Sequence, residues 1–304
     1  MSGLVVLDPG LQSSVQDLGR EAFMHFGVPQ SGAFDVRSLR IGNSILGNDP
    51  NAAAIELTML GGSYRVQQET TICLTGAMAP QLNAEQAGVQ IALEMNRPYH
   101  LRSGATIRVG RLLQGARAYL CFSGGILTEQ VLGSRSSLVS LPAVGLGHPL
   151  RAGETLPLGV PHPCNQHLVP YDENTSTSPV RIVPGMHWSM FSEAQRTAMT
   201  ESVFRVSHHS NRAGVRLTDA KICGSIPKRI PSVGMLPGFI QIPANGAPIV
   251  LGVDGPTMGG YPVIGSVAYV DLPRIAQASP RDEIVFQWID REHAAELLQR
   301  EVAD

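Results

Sequence analysis

Residues 239–273, FIQIPANGAPIVLGVDGPTMGGYPVIGSVAYVDLP, contain three short apolar runs separated by turn-forming residues. The runs FIQIP, APIVLGVD and SVAYVDLP have the length and the β-branched content that are typical of strands. Glycine, proline, asparagine and aspartate fill the breaks between them, and these residues favour tight turns over helix. The stretch therefore predicts consecutive strands of a β-rich fold.

The same pattern extends along the whole chain, in runs such as GLVVLD, TTICLTG and EIVFQWID, and the 32 glycines and 22 prolines fit many short strands. Helix signals are few. Asp35 is placed to cap a helix that ends at Gly47, and Ser192 with Gln195 has capping-box spacing. A further amphipathic helix is predicted after Asp290.

The composition indicates a globular chain, with 43% hydrophobic and 16% charged residues among 304. A net charge of −2 gives no electrostatic signature for nucleic acid or an anionic membrane. No apolar run is long enough for a membrane-spanning helix, and the start of the chain does not resemble a signal peptide. We therefore expect a cytoplasmic protein, with its four cysteines as free thiols.

Residues 160–180, VPHPCNQHLVPYDENTSTSPV, are rich in turn-forming residues and lack apolar periodicity, so they indicate a linker. We predict an N-terminal domain at 1–165, a linker at 166–180 and a C-terminal domain at 181–304. Both domains have plausible sizes and many short strands, which allows two similar barrels.

The first candidate site lies in residues 13–49, where Gln16, Asp17, Arg20 and Asp35 stand among several glycines. An arginine fork beside a carboxylate is suited to bind a planar anion. The alternative is a local ion pair between Asp17 and Arg20 that holds a loop.

Two further strand ends carry candidate binding groups. LTGAMAP places Thr75 and Gly76 at a turn whose backbone amides could receive an oxyanion, although a plain strand end is the better explanation of this segment on its own. In SHHSNRAGVRL, Arg212 and Arg216 are candidate anion-binding residues. The adjacent histidines of that run would point to opposite faces of a strand, and we predict no metal site.

The loop DGPTMGGYP, which follows the run APIVLGV, is the remaining candidate site. Its polar side chains are Asp254, Thr257 and Tyr261, and Gly259 and Gly260 allow close approach to the backbone. Asp254 could act as a base and Tyr261 as a proton donor or stacking surface. The alternative is a turn with no chemical role.

Nine further motifs cover roughly residues 10–286, in this order: VQDLGR, GVPQSGAFD, GNSILGND, LTGA, YLCFSGGI, LGSRSS, NRAGVRL, GFIQIPANGAPIVL and TMGGYP. Through these motifs and their order the sequence resembles the biotin-dependent carboxyltransferase family. Pro256 occupies a position at which many members have glutamine, and Ala213 and Val215 replace larger residues.

The resemblance implies a mainly β fold of two cyclophilin-like β-barrel domains with a few short helices. It also implies a shorter, related partner chain, the B-type subunit of 5-oxoprolinase, with an active site shared between the two chains. A third chain, the A-type subunit, joins them in bacterial 5-oxoprolinase.

The resemblance favours membership of an ATP-dependent amide-opening hydrolase that converts 5-oxo-L-proline to L-glutamate. In this interpretation the catalytic residues are Asp17, Arg20, Asp254 and Tyr261. The substrate-binding residues are Gln16, Asp35, Thr75, Gly76, Arg212, Arg216, Thr257, Gly259 and Gly260. One alternative is carboxyl transfer to urea or a related amide from carboxybiotin carried on another chain, and another is a non-catalytic partner of a kinase inhibitor.

Overall fold

The computed structural model describes residues 3–141, 145–164, 178–226 and 230–303. Contacts within the chain divide it into two compact units, one formed by Met1–Glu21 with Gln30–Glu173 and the other by Ala22–Pro29 with Asn174–Asp304. Most of the linker predicted at 166–180 lies outside the described residues, and a strand begins at its last residue, Val180. The grouping of Ala22–Pro29 with the second unit was not predicted.

The first unit is built from two antiparallel sheets and one helix. Its described elements are β1 (Gly3–Asp8), β2 (Ser13–Gln16), α1 (Val36–Leu46), β3 (Ala54–Thr58), β4 (Ser63–Val66), β5 (Thr70–Met78), β6 (Asn83–Gln86), β7 (Val89–Ala92), β8 (Tyr99–Leu101), β9 (Thr106–Arg108), β10 (Leu113–Phe122) and β11 (Thr155–Pro157). One sheet has the order β11-β1-β4-β9-β6-β7, and the other has the order β2-β3-β10-β5-β8.

The core of the first unit lies between these two sheets. Strand residues alternate between faces, so Leu4 and Val6 of β1 reach the same core as Leu120 and Phe122 of β10. All four side chains are fully buried. Burying side chains of this size stabilises the fold by about 1.5–3 kcal/mol each.

Helix α1 packs on the outer face of the second sheet, against Tyr119 and Cys121 of β10. Asp35 caps its start by accepting a hydrogen bond from the Ser38 amide at 3.0 Å, and Gly47 ends it in the left-handed conformation with φ of 68°. Both helix limits that the sequence predicts are confirmed.

The second unit is a barrel with three short helices. Its described elements are β12 (Val180–Pro184), α2 (Glu193–Glu201), β13 (Phe204–Val206), β14 (Gly214–Thr218), β15 (Val233–Gly234), β16 (Phe239–Gln241), β17 (Ile249–Leu251), β18 (Met258–Gly259), β19 (Val263–Val267), α3 (Leu272–Gln277), β20 (Glu283–Ile284), β21 (Phe286–Trp288) and α4 (Arg291–Ala303). Eight strands form one sheet in the order β20-β13-β14-β17-β16-β19-β12-β21, and β15 pairs with β18.

A bent strand closes this barrel. β20 and β21 are separated by Val285 alone, yet β20 pairs with β13 at one end of the sheet and β21 pairs with β12 at the other. The two ends of the eight-stranded sheet are therefore joined by a single stretch of chain. The predicted mainly β fold, with two barrel domains and a few short helices, is confirmed.

Two helix predictions in the second unit are confirmed and one strand prediction is partly wrong. The capping box of Ser192 and Gln195 starts α2, and α4 follows Asp290. The run SVAYVDLP stops being a strand at Val267, and α3 begins soon after with a proline in its first turn. Proline lacks the amide that a ladder needs but is tolerated there in a helix. No helix among the described residues is both long and apolar enough to cross a membrane.

The four cysteines differ in their surroundings, although all are free thiols. Burial raises the pKa of Cys73 to about 12 and that of Cys121 well above its ordinary value, because a thiolate is poorly solvated in the core. Cys223, in contrast, is exposed.

We expect Cys223 to react with a thiol reagent such as DTNB at pH 8 in the native chain, whereas Cys73 and Cys121 react only after unfolding. Thiolate is the reactive form, and a pKa of about 12 leaves almost none at pH 8. Peptide mapping of the labelled cysteines checks this. Rapid native labelling of Cys73 would contradict the packing of α1 on the sheet.

Candidate functional site

Asp17 is buried inside the first unit and binds the loop at residues 134–136. Its Oδ1 accepts hydrogen bonds from the Ser134 hydroxyl at 2.6 Å and the Ser136 hydroxyl at 2.5 Å, and its Oδ2 accepts one from the Arg135 amide at 2.6 Å. A fourth bond comes from the Gly19 amide at 2.8 Å. The side chain is buried, so this network is shielded from water. These contacts favour a positioning role for Asp17.

Arg20 and Gln16 bind the same segment through its carbonyl groups. The Arg20 guanidinium donates to the carbonyl oxygens of Val131 and Ser136, and the Gln16 amide donates to that of Ser137 at 2.9 Å. Both side chains are buried. The structure thus brings together Gln16, Asp17 and Arg20, as the sequence predicts, around a loop formed more than a hundred residues later.

Asp35, Thr75 and Gly76 belong to the junction of α1 with the second sheet. The Asp35 carboxylate caps α1, and the Thr75 hydroxyl donates to the Ser38 carbonyl oxygen at 2.7 Å. The Tyr119 hydroxyl accepts from the Asp35 amide at 2.8 Å and donates to Glu56 at 2.7 Å. Burial, reinforced by the Glu56 charge, raises the pKa of Tyr119 well above its ordinary value, so the phenol stays a donor.

Gly76 has a position that only glycine fits well. Its φ is +94°, and a Cβ atom there would lie 2.6 Å from the Arg117 carbonyl oxygen. We expect Gly76→Ala to lower the free energy of unfolding by about 1–3 kcal/mol, because strain and a backbone clash act together. Thermal unfolding measures this. Gly88→Ala is the matched control, since Gly88 also has positive φ but no atom within 4 Å of its Cβ position.

Arg212 and Asp254 form a buried bidentate ion pair in the second unit. The Arg212 Nε lies 3.0 Å from Asp254 Oδ2, and its Nη2 lies 2.9 Å from Oδ1. The side chains are 3% and 0% exposed. Both carboxylate oxygens therefore serve the guanidinium, which suits Asp254 better to holding Arg212 than to removing a proton.

The backbone ties the Arg212 segment to the glycine-rich loop. The Asp254 amide donates to the Arg212 carbonyl oxygen at 3.1 Å, and the Gly252 amide donates to that of Ala213 at 3.0 Å. Farther along, Gly259 pairs with Val233 in the β15–β18 ribbon. The loop is thus held at both ends in one shape.

The remaining predicted residues of the second unit lie at different depths. Thr257 is buried, Gly259 and Gly260 are partly exposed, and Tyr261 is 39% exposed. Arg216 is exposed on β14, two residues beyond Gly214. The sequence predicts that Arg212 and Arg216 both bind an anion. The structure pairs Arg212 with the buried carboxylate of Asp254 and leaves Arg216 exposed on the strand.

In the second unit, Arg212 offers an oriented positive charge, Thr257 and Tyr261 offer hydroxyl groups, and Gly259 and Gly260 offer accessible backbone. Such groups together can stabilise negative charge that develops on an oxygen atom. Among the described residues, no group of three or more His, Cys, Asp or Glu side chains could hold a metal ion. Sequence reasoning missed Glu56, which accepts a hydrogen bond from the Tyr119 hydroxyl. No local pattern marks Glu56, because Tyr119 is distant along the chain.

Comparison with known proteins agrees with these features. Residues 26–288 match the family model described as carboxyltransferase domain, subdomain A and B. The chain is 32% identical to the C subunit of 5-oxoprolinase from Escherichia coli, over 97% of this chain and 94% of that protein. It is 31% identical to urea amidolyase of Saccharomyces cerevisiae over 96% of this chain, but spans only 17% of that protein.

A solved structure of the Kluyveromyces lactis urea carboxylase superposes with a TM-score of 0.85 at 29% identity. The match covers 98% of this chain and 28% of that one. Fold, motif order and full-length similarity therefore coincide. The chain belongs to the carboxyltransferase domain, subdomain A and B, family.

Proposed function

We propose that this chain is one subunit of an ATP-dependent hydrolase that opens the lactam of 5-oxo-L-proline to give L-glutamate. The observation that carries the proposal is the 32% identity to the C subunit of 5-oxoprolinase over nearly the full length of both chains. That relative is named as part of a multi-subunit enzyme, which supports a complex, and we propose the B-type and A-type subunits as partners. Four free cysteines are consistent with a reducing, cytoplasmic setting.

In the proposed reaction the lactam C–N bond breaks, water supplies the hydroxyl group of the new carboxylate, and the ring nitrogen becomes the amine of glutamate. ATP is the co-substrate of the complex, and a second water molecule converts it to ADP and phosphate as the ring opens. Negative charge develops on the lactam oxygen or on an acyl phosphate, and Arg212 is the group we assign to stabilise it. Asp254 holds the Arg212 guanidinium in place through two hydrogen bonds.

The other predicted residues take supporting roles in this proposal. Tyr261 is the exposed phenol that would exchange a proton with substrate, and Gly259 and Gly260 would admit substrate to the backbone. Asp17 and Arg20 position the 131–137 segment of the first unit. Pro256 offers no side-chain amide in the loop.

The test is glutamate release from 5-oxoproline with ATP, using this chain and its partner chains, each omitted in turn. We expect release only when this chain is present. An assembled complex that binds ATP but releases no glutamate would overturn the proposal.

The likeness to urea carboxylase favours a second candidate, transfer of a carboxyl group from carboxybiotin on another chain to urea. The discriminating measurement is carboxylation of urea by the same complex, with carboxybiotin supplied and ATP withheld. Carboxyl transfer without glutamate release would select this candidate, and glutamate release without transfer would select the first.

A further inference from the structure

Gln241 is a buried carboxamide beside the glycine-rich loop, and no role is assigned to it from the sequence. It stands on β16, opposite Ile249 of β17 and Val263 of β19, and is only 5% exposed. Its sheet face is the one that packs with Met235 beneath the β15–β18 ribbon. Gln241 therefore lies between the barrel sheet and the ribbon that carries Gly259.

The amide of Gln241 is poorly satisfied by the residues that the structure describes. Its Nε2 donates to the Met235 sulfur at 3.3 Å, and a thioether is a weak acceptor. No described residue donates a hydrogen bond to its Oε1, and Oε1 is not one of the fully buried side-chain atoms that lack a partner. One weak hydrogen bond and an oxygen that is not fully buried leave this carboxamide able to pair with a ligand.

The Gln241 amide occupies the space in which a side chain at position 259 would lie. A Cβ atom at position 259 would lie 2.7 Å from Gln241 Nε2 and 3.0 Å from Met235 Cε. The backbone at 259 is not left-handed, so the constraint is spatial. Met235 is a flexible side chain that can yield to a ligand at low cost. Because residue 259 has no side chain, the backbone of the loop lies directly against the Gln241 amide.

We propose that Gln241 recognises the substrate by pairing its carboxamide with the N–H and C=O of a cis amide. A lactam or cyclic urea presents both groups on one edge, and a glutamine side chain is complementary to that edge, with Oε1 accepting and Nε2 donating. The glycine-rich loop itself, residues 253–262, contains no asparagine or glutamine that could play this role. This inference rests on the proposed amide-opening function and names the residue that selects the amide.

The test compares binding of 5-oxo-L-proline with that of its lactone analogue, 5-oxotetrahydrofuran-2-carboxylate, in which ring oxygen replaces N–H. Calorimetry on the complex without ATP measures binding with no turnover. We expect the unmodified complex to prefer the lactam about tenfold, as one neutral hydrogen bond allows. Gln241→Met, which keeps volume but removes the amide, should reduce that preference to about twofold or less.

Two further variants separate recognition from general damage. Gln287→Met makes the same chemical change at an exposed position of β21, and it should keep the preference for the lactam. Gly259→Ala displaces the Gln241 amide without changing it, so it should lose the preference as Gln241→Met does. Its closest contact is with the end of the Gln241 side chain, and the flexible Met235 side chain can shift, so folding should survive.

The binding panel also includes urea and hydantoin, so that failure of this inference differs from failure of the proposed function. Lactam preference unchanged in Gln241→Met, or no amide of the panel bound by the unmodified complex, would overturn the inference. A different outcome would separate the two proposals. If the complex releases no glutamate but binds hydantoin or urea, and Gln241→Met loses that binding, the proposed function is overturned and the inference is supported.

Discussion

Asp254→Ala is expected to lower the free energy of unfolding of the second unit by about 3–5 kcal/mol. The change removes both carboxylate hydrogen bonds from the buried Arg212 guanidinium and leaves its charge without that partner. Urea unfolding followed by fluorescence measures the effect, because both tryptophans, Trp188 and Trp288, belong to this unit.

A matched control is provided by the exposed pair of Arg205 and Glu283, whose side chains are 46% and 56% exposed. Glu283→Ala should cost less than about 1 kcal/mol, since solvent screens this pair. Replacing both buried partners, in Arg212→Met with Asp254→Leu, should restore much of the lost stability while abolishing activity. A cost for Asp254→Ala no larger than that of Glu283→Ala would contradict the buried ion pair.

Asp17→Ala is expected to cost the first unit about 3–5 kcal/mol. Hydrogen bonds to a charged acceptor contribute about 1.5–3 kcal/mol each, and the hydroxyls of Ser134 and Ser136 regain part of that by rotating to other acceptors. Asp17→Asn should cost less, because it keeps one acceptor oxygen. Calorimetric thermal unfolding separates the two variants.

Asp49→Ala is the control for Asp17→Ala, because Asp49 accepts a hydrogen bond from the Asn51 amide at an exposed turn. It should change stability by about 1 kcal/mol or less. If Asp17 acts only by positioning the 131–137 segment, Asp17→Asn should raise KM of the complex more than it lowers kcat. If Asp17→Asn lowers kcat and leaves KM unchanged, Asp17 has a direct catalytic role instead.

Local sequence signals predicted the elements of the fold well. Asp35 and Gly47 delimit α1, and the capping box starts α2, because caps act within one turn of backbone. The run SVAYVDLP misled because an apolar stretch of that length suits a strand or a buried helix equally, and only Pro273 hinted at the change.

The candidate site was harder to predict, because its contacts join distant residues. Sequence placed Asp17 near Arg20 and suggested a pair, whereas the structure shows each bound to the segment at 131–137. Asp254 and Arg212 are both candidates from sequence, but their contact crosses 42 positions of chain. Gln241 lies in the motif GFIQIPANGAPIVL, but no role is assigned to it from the sequence, because the chemistry open to a glutamine in an apolar strand depends on neighbours that the sequence does not reveal.

The bent strand of β20 and β21 has a consequence for synthesis on the ribosome. β12 and β13 emerge long before the segment that pairs with both, so the nascent second unit exposes two sheet edges until residue 288 has been translated. Unpaired edges attract strands of other chains. Nascent chains stalled before residue 283 should therefore recruit chaperones or aggregate, and those released after residue 288 should not.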